Sequence, residues 1–306
     1  DLDTTPHSIA ATMKVLNPLT GQALPIPVKA VPGEENQVSL QLINETDKVI
    51  SGTFKATFPE PLEPVAVRES FSLDEGTLQR FQFPFEVPED AKLGERNGQI
   101  SVSFLGTSEK YPFTVQIGEA KPAEAAFPVD LSDDYNIDAV AYYRNRLDFD
   151  GDRVGIFVYP GDFTPSDRIA KVAGIPYQMG PMGGKEKNAI EPRGQKVEVK
   201  PGSYDHVSML GYGHSGKHPG VWTLHYTDGS TEEIQSQIPE WCSPLPDETF
   251  IQAFTAPYRY IPGGIAPPAC ELFAWEIPAN PEKELTAIEL PEMEFAYLFA
   301  ITLLKR

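Results

Sequence analysis

Three carboxylates at alternate positions, Asp148, Asp150 and Asp152, surround Phe149 and Gly151 and lead into the apolar stretch from Val154 to Pro160. That order describes a polar loop feeding a buried strand, with the glycine allowing a sharp turn. Aspartates so spaced can gather oxygens around a hard cation, or accept hydrogen bonds from sugar hydroxyls and backbone amides. The helix-loop-helix calcium motif is excluded, because its glycine and closing glutamate positions are held by Arg153 and Tyr159. Two readings are left. In one, Asp148, Asp150 and Asp152 hold a structural calcium on a sandwich edge. In the other they cap turns and pair with Arg144, Arg146 or Arg153, which is the simpler arrangement. Neither requires a cofactor.

Just before these aspartates, Tyr142, Tyr143, Arg144, Asn145 and Arg146 combine ring faces with planar polar groups. Sugar recognition needs both, a ring to stack on the apolar side of a pyranose and planar groups to bond its hydroxyls. Tyr212, His214, Trp241, Tyr258, Arg259 and Tyr260 could converge on the same ligand from later loops. Against this stands the common fate of aromatic residues in sandwiches, which is packing. His214 and His218 lie in the glycine-rich run Gly211 to Gly220 without a carboxylate at ligand spacing, so exposed loop histidines are expected rather than a metal site. Nucleophile elbow, phosphate loop and dinucleotide fingerprint are all missing. A glycosidase pair of carboxylates can always be drawn from 44 acidic residues, so drawing one says little.

These residues must be positioned by strands. The 306 residues include 30 prolines and 24 glycines, with abundant Val, Phe, Thr and Tyr and no long stretch of helical period, which gives an all-β chain. Period-two alternation runs through Val38-Leu40-Leu42, Phe54-Ala56-Phe58, Phe81-Phe83-Phe85, Ile100-Val102-Phe104 and Tyr111-Phe113-Val115-Ile117. Turn formers at Asn17-Pro18, Pro32-Gly33, Asn44-Glu45-Thr46, Glu75-Gly76 and Asn97-Gly98 divide residues 1–118 into roughly seven strands, as in an immunoglobulin-like sandwich. Asn44-Glu45-Thr46 is also a glycosylation sequon. Residues 119–127 are small, charged and proline-containing and read as a linker. From 128 to 306 the strands resume with longer loops. Trp222, Leu224 and Tyr226 enter a hairpin at Thr227-Asp228-Gly229-Ser230, and Phe295, Tyr297, Phe299, Ile301 and Leu303 alternate in a terminal strand.

A net charge of −19 repels nucleic-acid phosphates and anionic lipid, and no run of about eighteen apolar residues offers a membrane helix. No charged-then-apolar leader precedes Asp1, as expected of a processed or excised piece. Cys242 and Cys270, the only cysteines, either form one disulfide or remain two buried thiols.

In residues 1–118, Gly33-Glu34-Glu35-Asn36-Gln37-Val38-Ser39-Leu40, Ile50-Ser51-Gly52, and Val87-Pro88 ahead of Asn97-Gly98 resemble the α-galactosidase-associated Ig-like domains of bacterial polysaccharide-degrading enzymes. Val129-Asp130-Leu131-Ser132, Asp148-Phe149-Asp150-Gly151, Gly174-Ile175-Pro176-Tyr177, Trp241, Pro257-Tyr258-Arg259 and Phe299-Ala300-Ile301-Thr302-Leu303 resemble a carbohydrate-binding-type module. The resemblance implies a larger jelly-roll-like sandwich, secreted or at the cell surface, in the ancillary region of a glycoside hydrolase. The expected role is non-catalytic. Polysaccharide or oligosaccharide would be the partner, with a catalytic domain in the same native chain, and the sugar would meet Tyr142, Tyr143, Arg144, Asn145, Arg146, Tyr212, Trp241, Tyr258 and Arg259. The alternatives are a structural spacer or adhesin fragment without glycan binding, and a glycosidase acting through paired carboxylates.

Overall fold

The computed structural model describes residues 18–24, 28–66, 69–119, 125–141, 159–161, 169–181, 186–216, 218–242, 250–256, 259–261, 264–266 and 270–306. The regular elements among them are all strands, as the alternating sequence predicts.

The first sandwich contains β1 (Leu19–Leu24), β2 (Val28–Ala30), β3 (Glu35–Asn44), β4 (Ile50–Thr57), β5 (Glu63–Pro64), β6 (Ser70–Leu73), β7 (Leu78–Glu86), β8 (Gly94–Phe104) and β9 (Thr107–Ile117). One sheet runs β1-β3-β7-β5, the other β2-β9-β8-β4-β6. Alternation decides which faces meet. Val38, Leu40, Leu42, Phe81, Phe83 and Phe85 from one sheet pack on Phe54, Ile100, Val102 and Val115 from the other. Phe54 sits centrally, with ring centroids 4.8 Å from Phe71 and 4.9 Å from Phe81. Burying each such ring favours folding by roughly 2–3 kcal/mol.

Two expectations change here. Asn97-Gly98 lies inside β8 rather than in a turn, because a Cβ at Gly98 would stand 2.2 Å from the Phe113 ring of β9. The hairpin turns instead at Leu105-Gly106, where φ is 48° and 78°, a primed geometry that matches strand twist. The sequon residue Asn44 is fully buried. Its amide nitrogen donates to the carbonyls of Lys48, Leu73 and Asp74 at 2.7, 3.2 and 2.9 Å, and its oxygen accepts from the Thr46 N–H at 3.0 Å and hydroxyl at 2.8 Å. A side chain so engaged leaves no place for a glycan.

The second sandwich begins with β10 (Ala125–Pro128), β11 (Val140–Ala141), β12 (Tyr159–Pro160), β13 (Ile169–Val172) and β14 (Ile175–Gln178). It continues through β15 (Lys196–Ser203), β16 (His206–Gly213), β17 (His218–Tyr226), β18 (Thr231–Ile238) and β19 (Ile251–Ala256). β20 (Arg259–Ile261), β21 (Gly264–Ala266), β22 (Cys270–Pro278), β23 (Glu284–Glu289) and β24 (Ala296–Lys305) complete it. The main sheets run β10-β24-β16-β22-β19 and β15-β23-β17-β18. The hairpin predicted at Thr227–Ser230 joins β17 to β18, with the Asp228 carboxylate accepting the Ser230 N–H at 2.9 Å. Ala125, Ala126 and Phe127, assigned to the linker by composition, pair with β24 as an edge strand. Composition misled because an edge strand needs backbone partners more than apolar side chains.

The five-stranded sheet is buried on both faces. Trp222, Leu224, Trp275, Ile277, Leu298 and Ile301 fill the space towards the four-stranded sheet. Tyr159, Tyr177, Tyr212, Leu272, Tyr297 and Phe299 fill the opposite side, under a cover that includes the ribbons β11-β12 and β13-β14. Ala296 through Leu304 are therefore all buried, where alternation alone predicts one wet face. Two polar ties hold the cover down: the Thr302 hydroxyl donates to the Pro176 carbonyl at 2.6 Å, and the hydroxyls of Tyr177 and Ser208 bond at 2.7 Å.

Replacing Asn44 with Ala should cost about 2–3 kcal/mol in urea denaturation, since buried carbonyls lose their donor. A loss below about 1 kcal/mol would mean that water substitutes for the amide there.

Candidate functional site

At one end of the cover, residues distant in sequence meet around Tyr212. It lies between two glycines of β16 that exclude side chains: a Cβ at Gly211 would stand 2.3 Å from the Tyr297 carbonyl oxygen, and one at Gly213 2.4 Å from the His218 ring. The β16–β24 register shifts between Leu210 and Gly211, passing over Phe299, and such a bulge re-aims neighbouring side chains. The Tyr212 ring stacks on Trp241 with centroids 4.9 Å apart and planes 9° from parallel, stacks on Tyr159 at 5.7 Å, and meets Tyr297 edge-on at 5.3 Å. Its hydroxyl donates to the Ala139 carbonyl at 3.1 Å, and that of Tyr159 to the Phe254 carbonyl, also at 3.1 Å. Backbone bonds of 2.8 Å fix Trp241 on both sides, from its N–H to Gly213 and from the Glu271 N–H to its carbonyl. The Arg259 guanidinium carbon lies 5.8 Å from the Trp241 ring centre, within cation–π range.

This geometry corrects part of the expected sugar site. Tyr212 and Trp241 are only 2% and 3% exposed, so both are core anchors whose ring faces are taken up by protein rather than open platforms. Arg259 is half-buried at the edge of their stack. Tyr142, Tyr143, Arg144, Asn145, Arg146 and Tyr258 lie outside the described residues, as do Asp148, Asp150 and Asp152. Among the described residues no group of three or more metal-ligating side chains converges. The described flanks still carry information. β11 and β12 pair in parallel, Val140 opposite Tyr159, β12 packs against β20, and the Tyr159 ring stacks on Tyr212.

His214, expected to be exposed, is buried. Its Nε2 lies 3.2 Å from the Tyr297 hydroxyl and its Nδ1 3.2 Å from the Ser215 hydroxyl, while its ring stacks on Tyr297 and meets Phe295 edge-on. Ser215 and Phe295, which bracket it, take φ of 66° and 63°, a left-handed conformation that is costly for a bulky residue such as Phe. At the next step the His218 Nε2–H donates to the His214 carbonyl at 2.8 Å. In the sequence this packing is traced by Gly211 and Gly213, where backbone and ring approach too closely for a side chain. Beside Trp241, the sulfurs of Cys242 and Cys270 lie 3.3 Å apart as two thiols. The hydrogen bond from Cys270 and the charge of Arg259 hold the Cys242 pKa down against the opposing effect of burial, whereas burial drives that of Cys270 up.

Comparison with known proteins adds a family for this sandwich. The model of the AziU2-like beta-sandwich domain matches residues 123–306. No curated protein matches the sequence. Among solved structures, a FixG-related protein from Vibrio parahaemolyticus is 10% identical over 33% of this chain and 98% of its own, with a TM-score of 0.28. A family 123 glycoside hydrolase from Clostridium perfringens, described in terms of glycolipid glycan hydrolysis, is 12% identical over 34% of this chain and 28% of its own, with a TM-score of 0.27. The α-2-macroglobulin of Escherichia coli is 13% identical over 66% of this chain, with a TM-score of 0.31, and the match spans only 10% of that protein.

Trp241→Ala should destabilise the chain by about 3–5 kcal/mol and Tyr212→Phe by about 1 kcal/mol in urea denaturation, the first from a cavity and the second from a carbonyl left without its donor. A near-neutral Trp241→Ala would contradict its place in the core.

Proposed function

The chain belongs to the AziU2-like β-sandwich family, and on that scaffold we propose a non-catalytic carbohydrate-binding role centred on Arg259 and segment 142–158. The observation that supports this reading is that β11 and β12, the described strands flanking that segment in sequence, pair beside the Tyr159–Tyr212–Trp241 stack, with β12 packed against the strand β20 that carries Arg259. The stack is a rigid floor that holds Arg259 at its edge. Tyr142 and Tyr143 supply ring faces for pyranose stacking. Arg144, Asn145, Arg146 and Arg259 supply planar donors that match neighbouring hydroxyls, with Tyr258 adjoining Arg259 in sequence. The net charge of −19 disfavours polyanionic glycans and directs the choice to neutral polysaccharide. For Asp148, Asp150 and Asp152 the proposed role is to ligate a structural calcium. The first sandwich is the connecting element, and the whole serves, outside the cell, to keep an attached glycoside hydrolase on its substrate.

Affinity electrophoresis of the full chain in gels containing neutral polysaccharides should show saturable retardation by at least one of them. Arg259→Ala, Tyr142→Ala and Tyr143→Ala should each weaken Kd about tenfold, equivalent to ~1.4 kcal/mol. Loss of retardation with a chelator would assign the three aspartates to calcium. No retardation in any polysaccharide would end this reading in favour of a spacer.

A further inference from the structure

We infer that Cys242 and Cys270 are a redox-active dithiol that closes to a disulfide by exchange with a disulfide donor, clamping the Trp241 turn to the first residue of β22. The inference stands apart from carbohydrate binding. It rests first on geometry. The two sulfurs are already in contact at 3.3 Å, and a bonded pair lies at about 2.05 Å, so side-chain rotation of roughly an ångström closes the bond. The backbone is set for this on both sides: the Glu271 N–H donates to the Trp241 carbonyl at 2.8 Å, which aligns the residues adjoining the two cysteines, and Cys270 is paired with Ala256 of β19.

The pair is also asymmetric in access. Cys242 is partly exposed and Cys270 is buried, so an outside reagent reaches Cys242 first. Among the described residues, the groups facing Cys242 are the Cys270 thiol, the Arg259 guanidinium and the Glu240 carboxylate, whose Oε1 accepts the Cys242 N–H at 3.4 Å. The thiol of Cys270 and the cation of Arg259 favour the Cys242 thiolate, with Glu240 and burial opposing them. In the exchange the Cys242 thiolate attacks one sulfur of the donor disulfide and expels the other half as a thiolate, giving a mixed disulfide. Cys270 then loses its proton to solvent and attacks the Cys242 sulfur, expelling the second half. Two protein thiols are oxidised to one disulfide, and one donor disulfide is reduced to two thiols.

The test uses the reduced full chain treated with oxidised glutathione, followed by maleimide labelling and intact mass. Untreated native chain should take one label, at Cys242. Treated chain should take none, even in denaturant, until a reductant is added, and its non-reduced peptide map should contain one cross-linked peptide joining residues 242 and 270. The labelling rate at Cys242 should reach its half-maximum at a lower pH than that of a solvent-exposed cysteine peptide measured alongside. Cys270→Ser should trap glutathione on Cys242, and Cys242→Ser should be inert. Two labels on treated chain in denaturant, glutathione retained on the wild type, or equal reactivity of the two variants would each overturn the inference. The peptide map keeps the test decisive if either variant fails to fold.

Discussion

The burial of the five-stranded sheet on both faces is the constraint from which the second sandwich takes its form. A two-sheet sandwich ordinarily needs one apolar face per sheet. Here β16 and β24 are buried on both, so a further layer must cover what the four-stranded sheet leaves open. Exposing that face would forfeit about 25 cal/mol for each Å² of apolar surface, and it carries Tyr212, Leu272, Tyr297 and Phe299 among others. The cover is therefore as much a part of the fold as either sheet.

A cover built from short ribbons and connections lacks a long ladder of its own. Its place is fixed by side-chain hydroxyls reaching backbone carbonyls, Tyr212 to Ala139, Tyr159 to Phe254 and Thr302 to Pro176. Each is worth about 1 kcal/mol net, but leaving a partner unmet in this dry setting costs more. Chemistry-bearing groups gather here too: His214 and Arg259 lie against Trp241, and Cys242, next to it in sequence, touches Cys270.

The cover also meets the first sandwich. Lys171 of the β13–β14 hairpin lies 3.8 Å from Glu34, and Gly174 at its turn is close to Val31. The ion pair is largely exposed and contributes little to stability. Burial lowers the Lys29 pKa while Glu271 raises it, so a charge from each sandwich is felt by the other.

By itself the sequence determined the strand class, the faces of the first core and the hairpin at Thr227–Ser230, because alternation and turn residues act over a few positions. The terminal strand was legible as a strand, but its burial on both faces was not, because alternation at Tyr297, Phe299, Ile301 and Leu303 reads as one wet face until the cover arrives over the other. Only the tertiary structure decided that Tyr212 and Trp241 are anchors, that His214 is enclosed, that Gly98 makes room for Phe113 instead of turning, and that Asn44 is spent on carbonyls of its own sandwich. In each case the deciding contact comes from a strand or turn remote in sequence. Residue type sets what a side chain can do, and the surface that arrives over it sets what it does.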